Sequence, residues 1–580
     1  MKIGLIGINK YAKFLNFACD LHIYAFQQYL TQHGYESTIL DYQPVYHGDF
    51  DMRHPAEYAE AKHQEALERT ATTPAQIAAR EREISKWEAL SEGYRSVYHE
   101  RERRYDKFEA FVDEHLVFTE EVYDSDLLEV QDPGFDCYIC VTDVIWQSLP
   151  RHVFDRGFLL GSKAFEGKQK IAYAASRGAS RDFTEREEAA FFGYLDDIDA
   201  ISVRERDFSA YIEGRSGLAA PTVLDPTLLQ DKEFWQKVST KPSEERYVLL
   251  YYVMERSTDT IAKAVEYAKF HDLTLVELSD RPLKEGKVTD PEVKHIARYD
   301  VGMEEWLGYI EHAEAVFTNS FHGCCFSVLF EKPFFVGSRN GQKVPNFLAT
   351  FGLDDRRFTP RADVGTFSHQ IDYAAVKEIL DGLRRQSGDF ILGALRDAEK
   401  RIESGEVRDS SPHEQNRRQI AYPARFHSGR SRGSVSLSAN APEALEVDQL
   451  ARGAIEYSEP GRRYLNDGTS QIAPNYFEVD GHEFVGWTAR LRIDNRWFWC
   501  LEDGSLSPDN PEGSTEAPRK QLFADQASIP HLPVNKVSVV VFVAKWRERT
   551  SARLVRRLRS VPRLARRAGR KAERVIKRRR

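Results

Sequence analysis

Lys2-Ile3-Gly4-Leu5-Ile6, then a run carrying Leu21, Tyr24, Ala25, Gln28 and Leu30 to His33-Gly34, then Ser37-Thr38-Ile39-Leu40-Asp41-Tyr42: these opening residues decide the fold. The first segment is a short apolar strand, after which Gly7-Ile8-Asn9 turns the chain. The middle segment spaces its apolar residues as one face of a helix does. Glycine just past its last turn is the expected stop. Ser37 to Tyr42 is a second strand. Strand, helix and strand within about 40 residues form a βαβ unit, which predicts an α/β domain with a parallel sheet.

Outward from this unit, residues 53–115 are dominated by Ala, Glu, Arg and Lys and predict a helical insertion or cap. Short apolar runs at Phe135–Val141, Ile171–Ala175 and Ala200–Val203 predict further strands of a first domain over residues 1–240. A second α/β domain is expected over 241–404. It has strands at Tyr247–Val253, Leu273–Leu278, Ala315–Thr318 and Pro333–Val336. Its helices are Ile261–His271, Val301–His312 and Gly323–Phe330, with a long helix over 373–404 that returns to the first domain. Two such units with a cleft between them make two Rossmann-like domains in a GT-B-like arrangement. Residues 405–440 are rich in Ser, Arg and Gly and are expected to be a linker. Residues 441–533 alternate aromatic runs with Gly, Asp, Asn and Pro turns and predict a small β-rich module.

At 580 residues the chain has room for three or four such units. It is 41% hydrophobic and 29% charged, ordinary for a globular protein. The opening segment lacks the apolar length and cleavage site of a signal peptide. No stretch reaches the roughly 18–20 apolar residues of a membrane span; the longest, Val537–Ala544, suits a buried strand. Cys137 and Cys140 make a C-x-x-C, but on a strand residues three apart face opposite sides, which argues against a redox or metal pair. The net charge of −9 hides a split: residues 545–580 hold 17 Lys/Arg against 2 Asp/Glu, leaving (81−17) − (90−2) = −24 on the rest. An acidic body argues against a nucleic acid substrate, whose phosphates need cationic contacts. The tail places Leu554, Leu558, Val561, Leu564, Ala568, Ala572 and Val575 at helical spacing among arginines. A basic amphipathic helix suits an anionic membrane surface, with nucleic acid binding or disorder as the other readings.

Asn319-Ser320-Phe321-His322-Gly323 follows one predicted strand and opens a helix. With Glu305-Trp306-Leu307 and Ala313 to Thr318 before it, and Phe326-Ser327-Val328 and Lys332-Pro333-Phe334 after it, it resembles the Ser-Phe-His-Gly segment of the polysaccharide pyruvyl transferases. Further likenesses occur in family order: Asn16 to Leu30, Thr142-Asp143 with Trp146, Ala172 to Ser176, Ser202-Val203-Arg204-Glu205, and Asp225-Pro226-Thr227. The likeness covers about residues 1–400. It departs at Ala18 (usually glycine), at His22 (usually glutamine), and at Val141 and Val144, which replace a glycine and a glutamine. Some members carry an arginine two residues before the motif histidine that helps hold phosphoenolpyruvate; Ser320 stands there, as in another branch.

The resemblance implies transfer of a pyruvyl group from phosphoenolpyruvate to sugar hydroxyls of a cell-surface glycan, as in exopolysaccharide biosynthesis, with release of phosphate. Such a donor needs cations and backbone donors, and arginine's fork suits both of its anionic ends. A helix start at Ser320 to Cys324 adds aligned N–H groups. His322 is the expected general acid, because histidine titrates near neutral pH; capping its helix or bonding a carbonyl is the alternative. Asp143 is the expected base on the sugar hydroxyl, or else caps the next turn. Arg204 is a candidate anion anchor, or else pairs at the surface with Glu205 or Asp207. Asn16 is expected at acceptor or phosphate, or as a helix cap. Asn319, Ser320 and Gly323 are assigned to substrate binding with the motif, and Arg339 is a candidate for the charge missing at Ser320. No metal site and no cofactor is expected; phosphoenolpyruvate enters as the donor substrate. The expected partners are a glycan or lipid-linked saccharide and, through the tail, an anionic membrane. The expected place is the cytoplasm, at the inner face of the plasma membrane. The rival readings are a GT-B nucleotide-sugar glycosyltransferase and a non-catalytic glycan-binding protein.

Overall fold

The computed structural model describes residues 1–8, 15–44, 53–69, 71, 73–125, 127–129, 131–148, 154–178, 183–253, 257–279, 290–337, 341–406 and 408. Beyond these it describes short segments, mostly strands, between 421 and 548. Arg339 and the tail from residue 549 onward lie outside the described residues. The chain forms two compact units, residues 1–416 and 417–580.

The first unit holds two parallel sheets. One contains β1 (Ile3–Gly7), β2 (Ser37–Tyr42), β3 (Phe118–Tyr123), β4 (Cys137–Asp143), β5 (Gln169–Ala175) and β6 (Ala200–Val203) in the order β3-β2-β1-β4-β5-β6. Helix α1 (Phe17–Gln32) makes the first crossover, and α2 (Pro55–Glu68), α3 (Pro74–Ser96) and α4 (Tyr98–His115) precede β3. Helix α5 (Glu185–Leu195) leads to β6, and α6 (Arg206–Ser216) and the short α7 (Lys232–Gln236) follow it. The strand order reverses between β1 and β4, and ligands of open α/β sheets bind at such a reversal, outside the carboxyl ends of the strands.

The second sheet repeats the scheme with β7 (Tyr247–Tyr252), α8 (Thr258–Phe270), β8 (Thr274–Ser279), β9 (His295–Arg298), α9 (Met303–Glu311), β10 (Ala315–Thr318), α10 (Phe321–Leu329) and β11 (Phe334–Val336). Its order is β11-β10-β7-β8-β9, with the reversal between β7 and β10. Helices α11 (Lys343–Phe351) and α12 (Tyr373–Ser404) follow. The sheets pack as the two Rossmann-like domains of a GT-B-like arrangement, as the contacts between their carboxyl ends show below.

One hydrophobic core runs through both domains and includes Leu5, Phe17, Leu21, Trp235, Trp306 and Phe326. Phe17 stacks on Trp306 with ring centroids 5.4 Å apart. The insertion is more than a cap, because α4 ties the domains together. Buried Arg104 donates to Leu15 O in the first domain and Ser279 O in the second, over the Phe17 ring. Lys107 pairs with Glu305 at 2.7 Å. Helix α12 crosses back onto the first domain, where Leu224 N–H donates to Ser387 Oγ and Arg384 donates to Leu228 O and Gln230 O. Cys137 belongs to the core on one face of the first sheet and Cys140 to that on the other, as the strand geometry required.

The second unit has a seven-stranded sheet in the order Glu446–Gln449, Ile455–Ser458, Ala424–His427, Val539–Glu548, His482–Ile493, Arg496–Cys500, Leu506–Pro508. Two boundaries move. Ala421–Tyr422, Ala424–His427 and Val435–Leu437 are strands inside the expected linker, and strand Val539–Glu548 takes in the first residues assigned to the tail. In both places pairing partners distant in sequence decide the conformation, and local composition does not reveal them.

Candidate functional site

β10 ends at Thr318, and the next five residues form a tight strand-to-helix turn. Asn319 bonds to the second sheet. Its Oδ1 accepts from Val253 N at 2.9 Å and its Nδ2 donates to Val253 O at 3.2 Å, stitching the end of β10 to the end of β7 across the strand reversal. Ser320 caps α10, its Oγ accepting from Gly323 N at 3.2 Å. A Cβ on Gly323 would stand 2.5 Å from Thr318 Oγ1, so glycine is required there for packing. The side chains of Asn319 and Ser320 thus help to build the turn, Gly323 packs within it, and the turn carries His322.

His322 meets the first domain. Its Nε2 lies 3.3 Å from Asp225 Oδ2. Asp225 is buried and fixed, its Oδ1 accepting from Thr227 N at 3.1 Å and Thr227 Oγ1 at 2.8 Å. Arg204, just past β6, joins the cluster. It donates to Asp225 Oδ2 at 2.6 Å and Asp143 Oδ1 at 3.0 Å, and its Nε is 3.6 Å from Glu205 Oε1. The Phe321 ring lies under its guanidinium at 4.6 Å. Of the two surface pairings considered for Arg204, the one with Glu205 forms, but buried, and Asp207 accepts from Asn346 instead. Asp143 ends β4 with φ +60°, next to Thr142 at +44°. Non-glycine residues rarely adopt this region, and such strain gathers at functional sites. The Asp143 carboxylate turns to Arg204 and to Lys343, whose Nζ lies 3.2 Å from the same oxygen. Asn16 caps α1, its Oδ1 accepting from Ala18 N at 3.1 Å. A cavity of about 480 Å³ opens beside the cluster, lined by Arg204, Asp225, Phe321, Lys343, Asn346 and Phe347 among others.

Burial and charge together set the titration of these groups. Burial would raise the carboxyl groups of Asp143 and Asp225, yet their partners hold both well below the usual carboxylate range. The partners are Lys343, Arg204 and the two histidines for Asp143, and His322, Arg204 and His22 for Asp225. Arg204 is pushed up, burial being outweighed by its three carboxylates. The Lys343 ammonium is lowered by burial and by Arg204. His22, on α1, is wholly buried with its ring centroid 6.3 Å from that of His322. Neither of its ring nitrogens has a hydrogen-bond partner, and burial lowers it to about 4.

Asp225, Lys343 and His22 are the cluster members to which the sequence assigned no role. Asp225 stood in a quoted motif and His22 among the departures, so a signal existed for both. Nothing in the sequence singles out Lys343, which meets Asp143 only through the packing of the two domains.

A family model described as polysaccharide pyruvyl transferase matches residues 19–340. No curated protein matches the chain. Among solved structures, the chain is similar to UDP-GlcNAc 2-epimerase of Methanocaldococcus jannaschii at 12% identity and TM-score 0.31, over 68% of this chain and 99% of that one. It is also similar to the epimerase of Neisseria meningitidis bound to UDP-GlcNAc (11%, TM-score 0.34, 68% and 100%) and to MurG of Acinetobacter baumannii (7%, TM-score 0.32, 69% and 99%).

Proposed function

The chain belongs to the polysaccharide pyruvyl transferase family and is a transferase, and from that premise we propose that it moves the pyruvyl group of phosphoenolpyruvate onto sugar hydroxyls of a cell-surface glycan. The observation that carries the reading is the meeting of His322 from the second domain with Asp225, Arg204 and Asp143 from the first.

The chemistry assigns each of them a task. With Nε2–H donating to Asp225, His322 keeps Nδ1 for the substrate. Doubly protonated, it delivers the Nδ1 proton to the methylene carbon of the donor, and the Asp225 carboxylate stabilises the imidazolium, as a buried carboxylate does in other acid–base pairs. The donor then carries oxocarbenium character at its central carbon. One sugar hydroxyl attacks there and loses its proton to the Asp143 carboxylate, which serves as base. Phosphate leaves, and attack by a second hydroxyl, whose proton goes out with the phosphate, completes a ketal. One diol and one phosphoenolpyruvate thus give one ketal and one phosphate. Arg204 supplies fixed positive charge for the anionic donor.

The acceptor in this reading is a lipid-linked or free saccharide, and the protein works at the inner face of the plasma membrane. The charge and helical spacing of residues 549–580 support that location. Among the described residues no helix is long and apolar enough to cross a membrane.

The test is phosphate release from phosphoenolpyruvate with a panel of lipid-linked and free glycans. The expected result is acceptor-dependent release that falls by about 10²–10⁴ in His322→Ala. No release with any acceptor, and no rise in melting temperature with donor, would turn the reading toward a nucleotide-sugar donor or a binding role.

A further inference from the structure

His322 and Asp225 come from different domains and lie 3.3 Å apart. At about 3.6 Å such a contact is no longer a hydrogen bond, so the pairing tolerates little relative movement of the domains. Helix α4, from the insertion, carries contacts that hold this spacing. Its Arg104 donates to Leu15 O in the first domain and to Ser279 O in the second. Arg103 beside it pairs with Asp300 at 3.2 Å, and Lys107 a turn later pairs with Glu305 at 2.7 Å, both on the second domain.

We infer that Arg104 is a positioning residue for the proton transfer at His322, and that α4 is a brace that keeps the two domains at one closure throughout turnover. The inference rests on the pyruvyl-transfer reading above for its assay of turnover.

Packed groups lead from the brace to the acid. The Arg104 guanidinium lies 4.3 Å from the centre of the Phe17 ring, and Phe17 stacks on Trp306 at 5.4 Å. Trp306 meets Phe326 edge-on at 5.1 Å, and Phe326 lies on α10 one turn past His322. Arg104 and all three rings are fully buried. Interiors packed this closely transmit a displacement and do not absorb it. A second route runs through α1. Leu15 O adjoins Asn16, the cap of α1, and that helix carries the His22 ring to 6.3 Å from the ring of His322. A planar fork bonded to one carbonyl from each domain fixes their spacing as a compact ammonium does not.

Many enzymes of two domains open and close about a hinge to take in substrate. In this chain α4 opposes such opening, because parting the domains would strip the buried Arg104 of a carbonyl partner, and a buried charge that loses a hydrogen bond is costly. The site also has an entrance that leaves the brace in place. The cavity of about 480 Å³ reaches Arg204 and Asp225, and none of its described lining residues belongs to α4. The Asp143 side chain is 18% exposed beside Arg204 with the domains as they stand.

The experiment closes a covalent link across the same junction. A Cβ built on Gly302, in the second domain, stands 2.8 Å from Lys107 Cβ on α4. Disulfides join Cβ atoms about 3.5–4.5 Å apart, so Lys107→Cys with Gly302→Cys is within about 1 Å of bridging geometry. Turnover of the full chain is read as phosphate release from phosphoenolpyruvate with an acceptor that supports it in wild type. The pair is assayed oxidised and then reduced, with melting curves to show that each variant is folded at the assay temperature. The oxidised pair should turn over as fast as the reduced one. Arg104→Met should lose about a hundredfold in kcat, the cost of a displacement of about 1 Å at a reacting group, and the oxidised pair added to it should restore most of that loss. Lowered stability alone would leave kcat per folded molecule unchanged. Turnover that stops on oxidation and returns on reduction would show that the domains must part, and overturns the inference. So do a folded Arg104→Met with full kcat, a loss that the oxidised pair does not reverse, and a pair that fails to oxidise, since its two surfaces are then not held in contact. If Arg104→Met does not fold, the pair in the otherwise unaltered chain decides alone. Failure of the underlying reading looks different: wild type would release no phosphate with any acceptor, while oxidation of the pair would still report on the junction.

Discussion

His22 should make the first unit sensitive to mild acid, and replacing it with glutamine should remove that sensitivity. In the folded chain burial holds its imidazole to about 4, against an ordinary value of 6.5. Asp225 and Asp143 pull it up, and His322 and Arg204 push it down, but loss of water outweighs them. Between pH 6.5 and 4 the unfolded chain takes a proton at this position that the folded chain refuses. The unfolded state then binds more protons, so stability falls as the pH falls through that window and levels off below it. The gap of about 2.5 units at 1.36 kcal/mol each gives a loss of roughly 3 kcal/mol from this one residue. Glutamine occupies a similar volume and does not titrate. The assay is urea unfolding of wild type and His22→Gln at pH 7, 6, 5 and 4.5. The expected result is a difference between the two that shifts steadily in favour of the variant as the pH falls. Parallel curves would refute the reasoning and show that a hydrogen-bond partner or a water path lets His22 protonate in the folded state.

Arg204→Met leaves three buried or nearly buried carboxylates without their common partner, and should cost about 3–5 kcal/mol of stability by urea unfolding. Arg204→Lys should recover little, because a single ammonium cannot reproduce the fork that spans Asp143 and Asp225. Gly323→Ala should cost about 1–3 kcal/mol through its clash with Thr318, and Thr318→Ala in the same chain should recover part of it, read from the same curves. Deletion of residues 549–580 should abolish salt-sensitive binding to vesicles rich in anionic lipid, measured by cosedimentation, since each basic residue near such a surface contributes about 1 kcal/mol.

The strands that carry an apolar run were legible in the sequence. β2, β6 and β10 have the predicted boundaries, and β4 was displaced by two residues because its pairing continues through the polar Thr142 and Asp143 to meet Ala175. β3 and β9 were not seen. Both are edge strands, half exposed and rich in polar residues, so neither a run of apolar residues nor a clear alternation announces them. In the site, His322 and Asp143 could be picked out because they stand in segments that resemble the family's, and Arg204 also because it follows a strand, where an α/β sheet places its chemistry. Asn319, Ser320 and Gly323 belong to the same motif, but a motif does not separate the residues that build a turn from the one that the turn presents. Lys343 and Asp143 are 200 residues apart, and no local pattern links them.

The placement of Arg204 and Lys343 also joins ligand binding to cohesion of the domains. Arg204 belongs to the first domain and Lys343 to the second, and Asp143 now bridges them. An anion that takes the place of Asp143 keeps that bridge, because it still touches one cation from each side, and it carries more charge than the carboxylate it displaces. Donor binding should therefore tighten the junction. A donor present at 100 times its Kd adds about 2.7 kcal/mol to the stability of the form that binds it. That increment should be lost in Lys343→Met and kept in His322→Ala, since the first removes a binding charge and the second only the acid. A donor held by the turn of the second domain alone would give the reverse order, because the variant at His322 would then lose more of the stabilisation than the variant at Lys343.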